Sequence, residues 1–501
     1  MLTRMRSWLL APVDVAWLVA FRVVFGLLVA VSLERFVTYG WVDEFLVGPR
    51  FHFKYWGFAW VEPLQRDAMF GLFYGLIGLA FCVAAGLCFR LAALGLALGF
   101  SYLQLIDVST YLNHYYLASL LAWLLAVSPA ARHGSLDAWW RGRRARRASA
   151  SVSASGTAAA PMDTTAPDTG PPSAEVARIW LLLFRVQVGV VYFFAAIAKL
   201  QPDWLLDAEP LGIWLNQSTS LPILGPILTW PGAAWVFAWC GFCFDLTIVG
   251  WLSWSKSRPY AYAVVLVFHT VTRLLFDIGM FPMIMSAAAL VFFSPSWPRR
   301  LLRLSKVPQT ERSALLVERA AAEPERLPAR TSRPWLEGSP RLRDAALALG
   351  VAYCALQLLL PLRFLAYPGN VLWHEQGMRF SWRVMVRAKG GAVTFALRDP
   401  STGTTQEIEP HVFLTPFQEN EMAGQPDLIL QGAHYLAAEF ARNRGHRVEV
   451  YARSRATLNG RRAAPFIDPG VDLTQVRDGL APYGWVLPAP DTRAPHVRPV
   501  L

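Results

Sequence analysis

Residues 177–200 read ARIWLLLFRVQVGVVYFFAAIAKL. Apolar side chains occupy nearly the whole stretch, which is long enough for the ~20 residues that carry a helix across a bilayer. A helix apolar on every face needs a solvent other than water, and lipid is that solvent. The pattern recurs along the chain, with spanning-length apolar runs near 15–33, 68–88, 91–106, 115–131, 230–253, 260–276, 281–294 and 343–362. The composition agrees: 54% of the 501 residues are hydrophobic and 16% charged, against roughly a quarter charged in soluble domains. The sequence therefore predicts a polytopic α-helical membrane bundle of about nine spans.

The net charge of +12 does not point to nucleic acid, because no groove-reading motif accompanies it. Much of it sits between apolar runs, in Arg141, Arg143, Arg144, Arg146 and Arg147 and again in Arg299, Arg300, Arg303 and Lys306. Such clusters mark cytoplasmic loops. With the N-terminus inside, both fall on the cytoplasmic side and residues 365–501 outside, in a periplasmic or lumenal space. The reading divides the chain into helices over 1–140, a disordered cytoplasmic linker over 141–175, helices over 176–296, a second linker over 297–341, a last span at 342–364, and a C-terminal extramembrane domain. The first linker is rich in Ala, Ser, Thr and Pro and cannot bury enough surface to fold, while the second, rich in Glu, Arg and Pro, has room for a short amphipathic helix. All five cysteines lie in or beside apolar runs, so no disulfide framework is expected.

Beyond residue 365 the pattern changes. Val393, Phe395 and Leu397 alternate with polar residues, as do Val448, Val450 and Ala452, which predicts half-exposed strands. Residues 427–443 have helical spacing. A mainly β domain docked on the bundle is the expectation.

Ionisable residues inside spans are costly to bury, so each is a functional candidate. Lys199 closes the opening stretch. Asp107, Asn113 and His114 lie in LIDVSTYLNHYYL (105–117), His269, Arg273 and Asp277 in FHTVTRLLFDIGMF (268–281), and Arg22 and Arg185 inside apolar runs. Each also has a structural reading. Lys199 can snorkel to the interface, Asn113 and His114 can cap a helix, His269 can bond a neighbouring helix, and Arg273 and Asp277 can pair at i and i+4. His52, among aromatics in FHFKYWGFAWV, suits an interfacial belt. No metal-binding motif, P-loop, dinucleotide fingerprint or nucleophile elbow is present.

Several segments, in order, resemble the vitamin K-dependent gamma-glutamyl carboxylase family. VVYFFAAIAKLQPDWL (190–205) is similar to the segment bearing the family's catalytic lysine, which places it at Lys199. LIDVSTYLNHYYL resembles the segment with the functional asparagine and histidine, here Asn113 and His114. FHTVTRLLFDIGMF and the following FFSPSWPRRL resemble the family's histidine-bearing helix and its continuation, which puts His269, with Tyr192 and Phe276, among cofactor-binding residues. GMRFSWRVMV (377–386) resembles the glutamate-binding segment, implying Met378, Phe380, Trp382 and Met385. FIDPGVDL (466–473) and YGWVLP (483–488) continue the similarity, and the N-terminal two-thirds also resembles the horizontally transferred transmembrane-domain (HTTM) proteins.

The resemblance implies an enzyme that couples oxygenation of vitamin K hydroquinone to its epoxide with addition of carbon dioxide to protein glutamate, giving gamma-carboxyglutamate. The cofactor is vitamin K hydroquinone, the co-substrates O2 and CO2, and the partners a glutamate-containing peptide or protein and the bilayer. Lys199 would be the initiating base, for which apolar surroundings favour the neutral amine. His114 with Asn113 would steady developing negative charge. Two alternatives stay open: a quinol epoxidase without carboxylation, and a non-enzymatic transporter or quinone-binding protein. The Ala- and Arg-rich linkers suggest a bacterial chain and hence the inner membrane.

Overall fold

The computed structural model describes residues 2–154, 174–222, 224–302 and 340–496. Its first part is helical: α1 (Ala16–Thr38), α2 (Arg66–Ala85), α3 (Phe89–Ile106), α4 (Asn113–Val127), α5 (Leu136–Ala154), α6 (Arg178–Lys199), α7 (Ala233–Ser253), α8 (Arg258–Leu275), α9 (Phe281–Ala288) and α10 (Pro340–Leu359). Among the described residues six helices are long and apolar enough to cross a membrane: α1, α2, α3, α6, α7 and the stretch Arg341–Ala366 that extends α10.

Of the about nine expected spans, six are thus helices of that length and apolar character, and the runs at 115–131, 260–276 and 281–294 fall short of it. Helix α4 has 15 residues, and the run at 281–294 breaks into α9 and a 3-10 turn at Ala289–Phe292. Helix α8 has 18 residues, and Arg258, His269 and Arg273 dilute its apolar character. The first expected linker also begins as helix, since α5 runs to Ala154, consistent with the high helix propensity of its Ala and Arg residues. Its remainder over 155–173, and most of the second linker, lie outside the described residues.

Aromatic and small residues hold the bundle together. Phe21 and Trp17 of α1 meet the buried Phe184 of α6 edge-on, with centroids 4.7 and 5.5 Å apart. Gly26 lets α1 approach α2: a Cβ there would lie 2.7 Å from the Ala80 carbonyl oxygen. Close backbone approach at small residues is how helices associate in lipid. Gly26→Ala is expected to lower stability by about 1–3 kcal/mol, read as a lower unfolding midpoint in detergent; an unchanged midpoint would refute the tight crossing.

Arg22 and Arg185 take structural roles. Arg22 donates to the Ala130 and Gly134 carbonyls, and Arg185 to those of Val291, Phe292 and Phe293. Arg185 satisfies backbone oxygens at the end of a neighbouring helical turn, and Arg22 those of the connection between α4 and α5. Arg273 donates to the Gly279 carbonyl instead of pairing with Asp277, which lies beyond the end of α8.

The C-terminal region contains a four-stranded antiparallel sheet of β1 (Lys389–Arg398), β2 (Thr405–Ile408), β3 (Glu449–Leu458) and β4 (Ala464–Pro465), in the order β2-β1-β3-β4. The register sets Phe395 opposite Ala452 and Leu397 opposite Val450, so the alternating residues seen in the sequence share the buried face. Helices α11 (Pro416–Ala423) and α12 (Pro426–Arg444) cover that face, with Leu428, Ile429, Leu430 and Ala433 of α12 fully buried. The domain is therefore α+β rather than mainly β, because one layer covering the sheet is helical. Thr415 and Gln418 close a capping box at the start of α11.

This domain docks on the bundle. Phe53, Val108 and Ala198 from the N-terminal part belong to its apolar core. Asp107 accepts from Gln418, while the Gln431 side chain bonds both the N–H and the carbonyl of Lys54. His52 sits behind this joint, its Nε2 3.0 Å from the Leu46 carbonyl.

Candidate active site

Helix α6 ends at Lys199, and its last turn forms one wall of an apolar cavity. Helix α7 brings Asp245 to the same place. Lys199 Nζ lies 2.6 Å from Asp245 Oδ2, 3.3 Å from the Ala195 carbonyl and 5.3 Å from the centre of the Trp204 ring. Both members of the pair are buried. An ion pair this enclosed is a poor stability device, because desolvation offsets much of the attraction. Its position on a cavity is better explained by chemistry.

His269 of α8 lines the same cavity, as do Tyr192 and Phe276. His269 Nε2 lies 3.0 Å from the Tyr192 hydroxyl, and its Nδ1 is buried without a hydrogen-bond partner among the described residues. A buried polar atom left open beside an apolar hollow is what a ligand oxygen can satisfy. Val384 and Met385 of the C-terminal domain close the cavity from the other side.

Asn113 and His114 stand just behind it. The His114 ring lies against Tyr115 and 6.3 Å from Phe281, a cavity-lining residue. At Gly279, with φ of 58°, a Cβ would come within 3.7 Å of His114 Nε2. Asn113 accepts from the Tyr111 hydroxyl and donates to the Arg383 carbonyl at 3.4 Å, so it holds the chain segment that carries Met385.

Of the four residues expected at a glutamate site, Met385 reaches the cavity. Met378 packs on the core of the C-terminal domain. Phe380 meets Tyr55, Tyr111 and Tyr116, while Trp382 is wholly buried and stacked on Tyr116. These aromatics anchor the segment to the bundle.

The anchoring is needed because the backbone there is strained. Glu375, Phe380, Trp382 and Met385 all have positive φ, at 58°, 60°, 58° and 52°. Such conformations cost on the order of 1–3 kcal/mol each and gather at functional sites. Contacts on both flanks hold them. Arg387 and Lys389 pair with Glu375 at 3.0 and 3.1 Å, and Gln201 donates to the Val386 carbonyl. Lys389 is itself fully enclosed, its Nζ 4.4 Å from the Phe466 ring centre. Burial draws its ammonium down to about 8 against the pull of Glu375.

Asp245 escaped the sequence reading. Its signal was a lone acid within the apolar run 230–253, the pattern that made Lys199 a candidate. Lys389 and Glu375 gave no such signal, since charged residues are ordinary in an extramembrane domain.

Comparison with known families gives the class first. Residues 10–155 and 159–297 match the HTTM domain, more than half of the chain, in keeping with an integral membrane protein. Residues 342–492 match the lumenal domain of vitamin K-dependent gamma-carboxylase. The chain belongs to the vitamin K-dependent gamma-carboxylase family. Its two domains are those of a carboxylase-like membrane enzyme. No solved structure matches the chain.

Proposed function

We propose that the protein is a vitamin K-dependent gamma-glutamyl carboxylase, coupling epoxidation of vitamin K hydroquinone to carboxylation of glutamate in a peptide or protein. The observation that carries this reading is the buried Lys199–Asp245 pair in an apolar cavity closed by the C-terminal domain. The cavity fits the group: nearly all its lining is apolar, and the open His269 Nδ1 and the Tyr192 hydroxyl offer partners for ring oxygens. When bound, the hydroquinone supplies, on reaction with oxygen, the base strong enough to remove the γ-proton of glutamate.

The chain's own part is proton handling and placement. Lys199 and Asp245 share a proton, either as ammonium and carboxylate or as amine and carboxylic acid. The second form can take a proton from a hydroxyl at Nζ, so the apolar surroundings and Asp245 together define the base. Tyr192 fixes the His269 ring, which leaves Nδ1 to orient the bound ring. Asn113 holds the wall at residue 383, and the aromatic lining excludes water.

We further propose a bacterial inner-membrane location with the N-terminus cytoplasmic, in which α4, α8 and the stretch 281–292 also cross, so that the Arg cluster 141–147 and Arg299 and Arg300 lie on the cytoplasmic side. The function is tested on detergent-solubilised protein with vitamin K hydroquinone, oxygen, labelled bicarbonate and a short Glu peptide. Epoxide and fixed label together are the expected result. Epoxide without label would leave a quinol epoxidase, and neither product from folded protein would overturn the reading.

A further inference from the structure

A second hollow lies back to back with the first. It is a cleft between the bundle and the C-terminal domain. The same pieces of chain divide the two. In the last turn of α6, Ala195 and Lys199 face the apolar cavity, while Ile197 and Ala198 line the cleft. In the strained segment, Val384 and Met385 face the cavity and Arg383 lines the cleft.

The charges of the cleft are paired, with one exception among its arginines. Arg461 grips Asp203 through both terminal nitrogens, at 2.6 and 2.7 Å, and Arg493 bonds Asp207. The Arg383 side chain is more than nine-tenths buried, yet its guanidinium forms no hydrogen bond or ion pair among the described residues, and its Nε is buried without a partner. It lies over the face of the Phe364 ring, 4.2 Å from Cζ to the ring centre. Burial draws the guanidinium down to about 10, with no carboxylate opposing the change. A buried, unpaired arginine is expensive. It is held there by the Asn113 bond to its own carbonyl and by the buried Trp382 beside it.

We infer that Arg383 is a carboxylate anchor, and that the cleft receives an acidic peptide whose side-chain carboxylate it holds. A planar guanidinium matches a carboxylate in two parallel hydrogen bonds, and this one already lacks its partner. The cleft that holds the anchored side chain and the cavity that holds Lys199 share the wall formed by residues 383–385. The inference rests on the carboxylase reading for the identity of the anchored residue as glutamate. Asp491, at the exposed rim, is the cleft's acid without an arginine, and it disfavours carboxylates that stop short of Arg383.

The test is binding without turnover. A fluorescently labelled short peptide with a single Glu, and its Gln counterpart, are titrated by anisotropy against the full-length detergent-solubilised protein without hydroquinone. Wild type is expected to favour the Glu peptide, and Arg383→Gln to lose that preference, a weakening of roughly ten- to a hundredfold. Arg383→Lys is expected to keep part of it. Arg383→Gln should not lower the unfolding midpoint, since removing a buried unpaired charge offsets the lost contact with the Phe364 ring. Discrimination that survives in Arg383→Gln, or is missing from wild type, overturns the anchor even where epoxide is formed. Discrimination that Arg383→Gln removes upholds it even where no epoxide is formed, so the two readings fail separately.

Discussion

Lys199→Ala is expected to abolish epoxide formation and to destabilise the protein at the same time. A positioned base typically contributes about 10²–10⁴-fold to rate, so the variant should fall to the background of the assay. The structural cost comes from Asp245, whose buried carboxylate keeps no partner within 2.6 Å once Nζ is gone. Breaking a buried pair from one side costs about 3–5 kcal/mol, whereas removing both charges is often close to neutral. The double variant Lys199→Ala/Asp245→Asn should therefore recover most of the lost stability and none of the activity. Unfolding midpoints and epoxide yield across the four proteins of this cycle separate the structural term from the chemical one. Epoxidation retained in Lys199→Ala, or restored in the double variant, would remove Lys199 from the reaction.

The second large effect is expected at Asp203, four residues beyond Lys199. Its carboxylate accepts from both terminal nitrogens of Arg461 and from Asn459 at 2.8 Å, tying the end of α6 to the C-terminal domain. Burial by itself would raise this carboxyl, but the hydrogen bonds from Arg461 and Asn459 outweigh it and hold it below the ordinary carboxylate value. A carboxyl lowered on folding stabilises the folded state at pH above its unfolded value, near 4. That stabilisation is lost as pH falls through the lower folded value. Asp203→Ala should cost about 3–5 kcal/mol at neutral pH, and the gap from wild type should close in acid below about pH 4. Unfolding midpoints of the two proteins across pH 3–8 check this. A gap that stays constant into acid would mean that Asp203 contributes through shape alone.

The parts of the architecture that rest on local pattern were legible in the sequence. The six long helices follow from runs of apolar residues, and β1 and β3 from the alternation around Phe395 and Val450. What did not follow has separate causes. Helix α8 falls short of a span in apolar character because it carries Arg258, His269 and Arg273. Helix α11 was hidden because an eight-residue helix with Glu419 and Glu421 shows little periodicity.

The site divides along the same line. Lys199 and His269 were visible as charges or imidazoles out of place in lipid. Phe380 and Trp382 were visible as residues but not by role, since Tyr111 and Tyr116, which fix them, lie more than 260 positions earlier in the chain. Arg383 could not have been singled out. What marks it is the absence of a carboxylate, and a missing neighbour leaves no trace in a one-dimensional string.

The thin partition at residues 383–385 has a consequence for how two immiscible reactants can meet. On the proposed reading, an oily ring stays dissolved on one side of three residues and a charged peptide stays wetted on the other. Neither has to cross into the medium that rejects it. The enzyme then works as a phase-transfer catalyst whose interface is a single stretch of polypeptide, and the kinked backbone of that stretch fixes where the two liquids touch.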